Sequence, residues 1–451
     1  MTPSKAISKY LSLQAEPEAA AADRLEGRFG HVLIVPAYGE GESLFDALGS
    51  VPRGPRGETL VIVVLNARSD SPPHVHQANA AARDRLRGAA SRVEEIAQER
   101  VAVLSYPDGK IVVIDRAGPG RFLPEGQGVG LARKVGNDFA LRLYGSGRIE
   151  SPWIHNTDAD TVLTNDYFEQ TDSIEVSGNA AALYFFEHCF GDDEALARAA
   201  RLYEISLRYY TLGLAWAGSP YAYQNMGSCV AIRPLAYAEV RGFPKKNAAE
   251  DFYILNKLAK VGSIVRLAGA PLRLEGRISD RVPFGTGKAL SQLVSRRHAV
   301  SGFRLYHPLV FAHLAAWLRV LSAIARSGGQ VERALGELPC GNPFFSTDLL
   351  VGSLERMGAF PAMREAIARS GDAPTILRHF HAWFDALRTL KLVHALRDGG
   401  LASLPYREAL AEAPFTGLST STEDDVEALR TALAERERQL AAAPAGVSAA
   451  V

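Results

Sequence analysis

The chain is 451 residues long, carries 50 Lys+Arg against 50 Asp+Glu, and is 47% apolar. That length allows one large domain with appendages or two domains, and the apolar share supplies a substantial core. Balanced charge removes the electrostatic motive for binding nucleic acid or an acidic membrane.

Residues 1–29, rich in Ala and Glu, read as a helical or loose leader that lacks the apolar run of a signal peptide. "HVLIVPAYGE" from His31 is a buried strand that runs into a loop where proline ends the ladder. A short helix over Glu42–Leu48 leads to a second buried strand, "ETLVIVVLNA". Residues 78–100 keep apolar positions at three- and four-residue spacing, which predicts a helix. "KIVVIDRA" is a third strand, "GVGLARKVGNDFALRLYGSG" a glycine-led helix, and "SPWIHNTDAD" a fourth strand that ends on Asp158 and Asp160. The alternation predicts an α/β fold with a mostly parallel central sheet and helices on both faces. In such sheets ligands sit beyond the carboxyl ends of the strands. There Tyr38 and Glu40, Asn66 and Asp70, Asp115 and Arg116, and Asp158 and Asp160 would converge.

The α/β domain is expected over residues 30–335, followed by a helical appendage over 336–415 and a helical to disordered tail over 416–451. The most apolar later stretch, Pro308–Leu318, is interrupted by His313 and followed by Arg319. It falls short of the roughly 18 uninterrupted apolar residues of a spanning helix. Cys189, Cys229 and Cys340 are odd in number, far apart and without metal-site spacing, as buried thiols in a reducing compartment are. The expectation is a cytoplasmic protein with no transmembrane span, which leaves room for peripheral membrane contact.

The acidic pair allows three readings. Asp158 can cap a strand-end turn. The two carboxylates can hold Mg²⁺ or Mn²⁺ on a diphosphate, since hard cations prefer carboxylate oxygen. Or Asp158 can be a phosphoryl-accepting nucleophile, because "DADTV" resembles the signature of haloacid-dehalogenase-like phosphatases, with Lys245, Lys246, Glu250 and Asp251 downstream. That signature belongs on a first strand, and here three strands precede it.

Five segments in order resemble the inverting nucleotide-sugar glycosyltransferases of family 2, with a GT-A fold, over roughly residues 30–270. They are "VPAYGEGESL", "GVGLARKVG", "TDADT", "NMGSCVAIRP" and "AAEDFYILNKLAKVG". The resemblance implies a donor site for a nucleotide-diphosphate sugar at Pro36, Ala37, Tyr38, Glu40, Asn66, Asp70, Arg133, Lys134 and Asp158. It implies a Mg²⁺ or Mn²⁺ ion on Asp158 and Asp160, a hydroxyl acceptor beside Asn225, Met226 and Gly227, and a base at Asp251 with Glu250 next to it. His298 is a candidate third ligand, although a lone histidine is more often structural. Glu250 and Asp251 also suit the N-terminal dipole of a helix without any chemistry. Arg277, Arg281 and Lys288 lie among glycines, as in a basic loop that closes over phosphates.

Two departures matter. The acidic pair usual after the family's second strand is replaced by Leu65 and Asn66 in "LNARSD", which predicts weak discrimination among bases, with a UDP-sugar as the first candidate donor. The processive-synthase motif is also missing, since Gln292 and Arg296 carry one extra residue between them and no Trp follows. The rivals are the phosphatase and a nucleotide-sugar-binding module without turnover.

Overall fold

Aliphatic runs buried on both faces form the middle of the sheet. In the computed structural model, which describes residues 4–97, 100–278, 285–295, 302–327, 329–336, 338, 345–418 and 425–442, β1 (His31–Ala37) is buried along its whole length. β2 (Thr59–Asn66) is buried in all but its first residue. β3 (Arg92–Ala97), β4 (Val101–Tyr106), β5 (Gly109–Arg116), β6 (Ile154–Asn156), β8 (Asn179–Leu183), β10 (Val230–Ile232) and β11 (Ser263–Arg266) complete a nine-stranded sheet. Its order is β11-β8-β10-β6-β1-β2-β5-β4-β3. A smaller sheet has the order β7 (Thr161–Val162), β12 (Leu272–Glu275), β9 (Phe186–Cys189).

The large sheet is mixed, which corrects the mostly parallel expectation. β6, β1, β2 and β5 run parallel, as do β8 and β11. β10 is antiparallel to both its neighbours, and β3, β4 and β5 form an antiparallel meander. The helix expected over 78–100 ends at Ala89, and "RVEEIA" pairs with β4 instead. Val93 and Ile96 mimic helical spacing, but pairing with β4 decides the conformation. The turn "PDG" between β4 and β5 is the local signal for this hairpin.

Helix Val129–Gly145 packs on the middle strands and is buried over most of its length. Gly136 permits this approach: a Cβ there would lie 2.5 Å from Ile34 Cγ2. The expected leader is part of the same core. Its helix Lys5–Leu13 buries Ile7 and Tyr10, and a 3₁₀ segment, Pro17–Arg24, follows. Asp138 accepts from Tyr10 Oη at 2.6 Å, Tyr237 Oη at 2.8 Å, the Glu16 amide at 2.8 Å and Lys134 Nζ at 2.7 Å.

The chain divides into two compact units, Met1–Gly191 with Asn225–Lys288, and Asp192–Gln224 with Ala289–Val451. This division differs from a break at residue 335, because helix Glu194–Trp216 and helix Pro308–Arg326 both belong to the second unit. Tyr209 and Leu212 of the first helix and Phe311, Leu314 and Trp317 of the second are fully buried in that unit's core. Helix Pro308–Arg326 is long and apolar enough to cross a membrane by composition, and 72% of its most apolar window is buried within the protein. Part of the expected tail is ordered as helix Val426–Ala442. Its Glu437 accepts from buried Arg208 at 2.7 Å.

Removing one member of a buried ion pair costs about 3–5 kcal/mol, because the other charge stays behind. Asp138→Ala strips Lys134 of its nearest carboxylate, with Glu16 3.8 Å away as the remaining one. The expected loss of stability is about 3 kcal/mol or more, read from the urea midpoint. A loss below about 1 kcal/mol would show that Glu16 takes over the charge.

Candidate active site

The parallel strands β1, β2 and β6 end on one side of the sheet, and a cavity of about 200 Å³ opens there. Pro36, Tyr38, Glu40, Asn66, Arg68, Asp158 and Asp160 line it, with Gln127, Gly128, Asn247 and Arg277. The strand-end residues expected at a ligand crevice are therefore neighbours, except for those of β2's outer loop and of β5. Asp70 is exposed and paired with Arg68 at 2.8 Å. Asp115 anchors its own loop by accepting from the Ala117 and Gly118 amides and from Arg121.

The acidic pair faces two guanidinium groups. Arg133, 1% exposed, donates to Asp158 Oδ1 at 2.5 Å, to Glu250 Oε1 at 3.1 Å and to the Thr157 carbonyl at 3.3 Å. Arg277 donates to both oxygens of Glu40, at 3.0 and 3.1 Å, and lies 2.9 Å from Asp160 Oδ2. Asn137, one turn beyond Arg133, exchanges hydrogen bonds with Asn156 at the end of β6 and so fixes the approach to Asp158. The space for Arg133 depends on Gly227, where a Cβ would stand 2.6 Å from Arg133 Nη2.

Glu250 and Asp251 open helix Glu250–Leu258. Ala249, just before them, has a left-handed backbone (φ 60°), a conformation that strains a residue with a Cβ. The Asp251 carboxylate accepts from the Phe252 amide at 2.7 Å. Burial, with Asp251 alongside, pushes the Glu250 carboxyl up to about 7 despite Arg133. Burial also raises Asp251 above the usual aspartate range. Three carboxylates crowd one buried guanidinium, so full ionisation leaves an excess of negative charge.

Several expected donor-site residues have partners within the protein. Lys134 points away from the cavity and donates to Tyr10 Oη, the Gln14 carbonyl and Asp138. Ala37 is buried in β1, and its carbonyl accepts from Asn66 Nδ2 at 2.8 Å. The Asn66 amide also reaches the Val64 carbonyl at 3.3 Å, so its donors tie β1 to β2. Tyr38 Oη donates to Ser71 Oγ at 3.2 Å, and Arg68 N donates to the same oxygen. Asn225 and Met226 precede β10 and do not line this cavity, whereas Gly227 lies against the Arg133 guanidinium. His298 and Arg281 lie outside the described residues. Arg68, Gln127 and Asn247 join the site without a pattern that marks them in the sequence; Arg68 and Gln127 merely flank strand-loop and loop-helix junctions.

Asp158 and Asp160 offer a divalent cation the hard oxygen donors it prefers. Among the described residues no group of three or more His, Cys, Asp or Glu is placed to hold a metal ion. A cation here would have two carboxylates and would draw further oxygen ligands from a bound diphosphate and water.

No family model matches the chain. No curated protein matches it either. Among solved structures it is similar to the mannosyltransferase PcManGT from Pyrobaculum calidifontis, in complex with GDP-Man and Mn²⁺. Identity is 14% over 85% of this chain and 94% of the other, with a TM-score of 0.33. Similarity at that level transfers no residue role and no activity.

A carboxyl with a raised value in the fold holds a proton that the unfolded chain releases, so stability falls as pH rises through the interval. For Glu250 the interval runs from its ordinary 4.5 to about 7. At about 1.4 kcal/mol per unit this corresponds to roughly 3 kcal/mol. Buried His31 and His155, held low by burial, act in the opposite sense in both proteins, so the readout is the difference: across about pH 4.5 to 8 the wild-type urea midpoint should lose ground relative to that of Glu250→Gln. Parallel curves for the two proteins would place the shared proton elsewhere.

Proposed function

We propose that the protein is a glycosyltransferase with a GT-A-like site, moving a sugar from a nucleotide-diphosphate donor to a hydroxyl acceptor with inversion. The observation that carries this reading is the linkage of Asp158, at the strand end, to Glu250, next to Asp251, through one buried guanidinium. Donor-side and acceptor-side carboxylates are thereby held in one fixed cluster.

The charge balance supports a cation. Asp158, Glu250 and Asp251 crowd the single buried guanidinium of Arg133, so this side of the cluster is rich in carboxylate. A bare diphosphate would meet net negative charge. Mn²⁺ or Mg²⁺ held by Asp158 and Asp160 would supply the missing positive charge and stabilise the leaving diphosphate. Arg277, 38% exposed, is placed to exchange its carboxylate partners for phosphate oxygens. Tyr38 and Arg68 flank the position of the base. With the Asn66 amide committed to backbone, uridine, guanosine and adenosine diphosphates should compete within about a hundredfold of one another, about 2.7 kcal/mol.

Asp251 takes the acceptor proton as the hydroxyl attacks. Its raised value keeps it a stronger base than an ordinary aspartate, and the Phe252 amide orients it. Glu250 and Arg133 position the group and do not touch the reacting atoms. A nucleotide-sugar-binding module without turnover is the second reading, favoured by the arginines that already neutralise each member of the acidic pair. The phosphatase reading fares worse, because its nucleophile would be Asp158, already bound to Arg133.

Nucleotide diphosphates with and without Mn²⁺ should raise the thermal midpoint, since a ligand of the folded state stabilises it. Asp160→Ala should abolish the Mn²⁺-dependent part of that rise and leave the unliganded midpoint nearly unchanged. A wild-type response from this variant would remove the metal assignment.

Asp251→Asn should keep donor affinity while transfer, read as nucleotide release with acceptor present, falls by about 10² or more. Wild-type transfer should fade on the acid side at a higher pH than an ordinary aspartate would give. Donor binding with no transfer by the wild type under any acceptor would favour the binding module. Full activity in Asp251→Asn would return this carboxylate to a helix-dipole role.

A further inference from the structure

The helical unit holds a second cavity, of about 1070 Å³, that the glycosyl-transfer reading does not use. Tyr203, Leu207 and Tyr210 line it from helix Glu194–Trp216, Leu293 from residues 289–295, and Phe303 and Tyr306 from the segment before helix Pro308–Arg326. Every one of these residues belongs to the same compact unit.

The wall is aromatic, and hydrogen bonds hold it in place. Tyr306 Oη is 2.9 Å from His394 Nε2, and its carbonyl accepts from Tyr209 Oη at 2.7 Å. The Tyr210 and Tyr306 rings meet at 5.9 Å, with Phe311 packed behind both. Such a wall is preformed, so a ligand would not need to order it first.

Charge is confined to two lining arginines. Arg397 is neutralised by Asp398 at 2.7 Å. Arg304 is exposed and donates to the Ser403 carbonyl at 2.8 Å, a neutral partner. Among the described residues no carboxylate lies within ion-pair distance of Arg304. Among the described residues the cavity therefore combines an aromatic, apolar wall with the positive charge of Arg304 on its rim. A neutral polar solute would leave the wall without partners, and a free anion would leave the volume unfilled.

We propose that this cavity binds a single-chain amphiphile, with the hydrocarbon chain along the aromatic wall and an anionic phosphate or carboxylate head on Arg304. The site is separate from the strand-end cluster, and its fate does not depend on the glycosyl-transfer reading.

The test is isothermal titration of the full chain with octyl, decyl and dodecyl phosphate below their micelle-forming concentrations. Saturable one-site binding is expected, tightening about threefold to fourfold per added methylene. Leu293→Trp, which pushes an indole into the cavity, and Arg304→Glu, which reverses the charge at an exposed position, should each weaken dodecyl phosphate at least tenfold. Laurate separates the head groups: equal affinity identifies any anionic head, and weaker affinity a phosphate. Dodecyl maltoside, with the same chain and a neutral head, should bind at least tenfold more weakly. Absence of binding, affinity indifferent to chain length, or maltoside binding as tight as phosphate would overturn the proposal. So would full affinity in Arg304→Glu, whether or not Leu293→Trp folds.

Discussion

A buried guanidinium cannot shed its proton, so Arg133 requires carboxylates wherever the fold puts it. It receives Asp158 from the end of β6 and Glu250 from the first turn of helix Glu250–Leu258. Much of the local architecture follows from that requirement. Residue 227 must lack a side chain, the backbone at Ala249 must turn left-handed to deliver Glu250, and the helix bearing Arg133 must sit close on β1 through Gly136. Exposed pairs such as Arg53 with Asp108 are worth about 0–1 kcal/mol each and set none of this.

Pairing with arginine also changes what an acidic pair means. Two aspartates at a strand end suggest an ion, yet each already has a cationic partner in the protein. The reconciliation lies at Arg133, whose single buried guanidinium meets Asp158 and Glu250 with Asp251 alongside and does not neutralise all three. Such crowding is relieved by added positive charge, and a proton on Glu250 or Asp251 is the simplest form of it.

The strands β1, β2 and β5 were legible because buried parallel strands announce themselves as unbroken aliphatic runs. The Tyr38, Glu40, Asp158 and Asp160 side of the site followed from where those runs stop. The antiparallel meander was not legible as such, because Val93 and Ile96 satisfy a helical period equally well and only pairing with β4 decides. Lys134 shows a different limit. Sequence places it next to Arg133, and no local rule tells which of two adjacent cations turns to the cavity. Asn66 fails similarly, since an amide that reads a base and one that ties two strands together look the same in one dimension. The division into units was hidden because helix Glu194–Trp216 finds its apolar partners about a hundred residues downstream.

Adjacent residues on a helix project about 100° apart. Arg133 and Lys134 turn that angle into a division of labour, one cation set among the strand-end carboxylates and the other among Asp138, Tyr10 and the Gln14 carbonyl. The N-terminal segment therefore braces, from behind, the helix that carries the carboxylate cluster's arginine. A protease cut between residues 14 and 17, or a fusion partner crowding helix Lys5–Leu13, would act on the cluster from the rear. Trimming the first sixteen residues as dispensable would release the anchor of the helix from which Arg133 reaches its carboxylates.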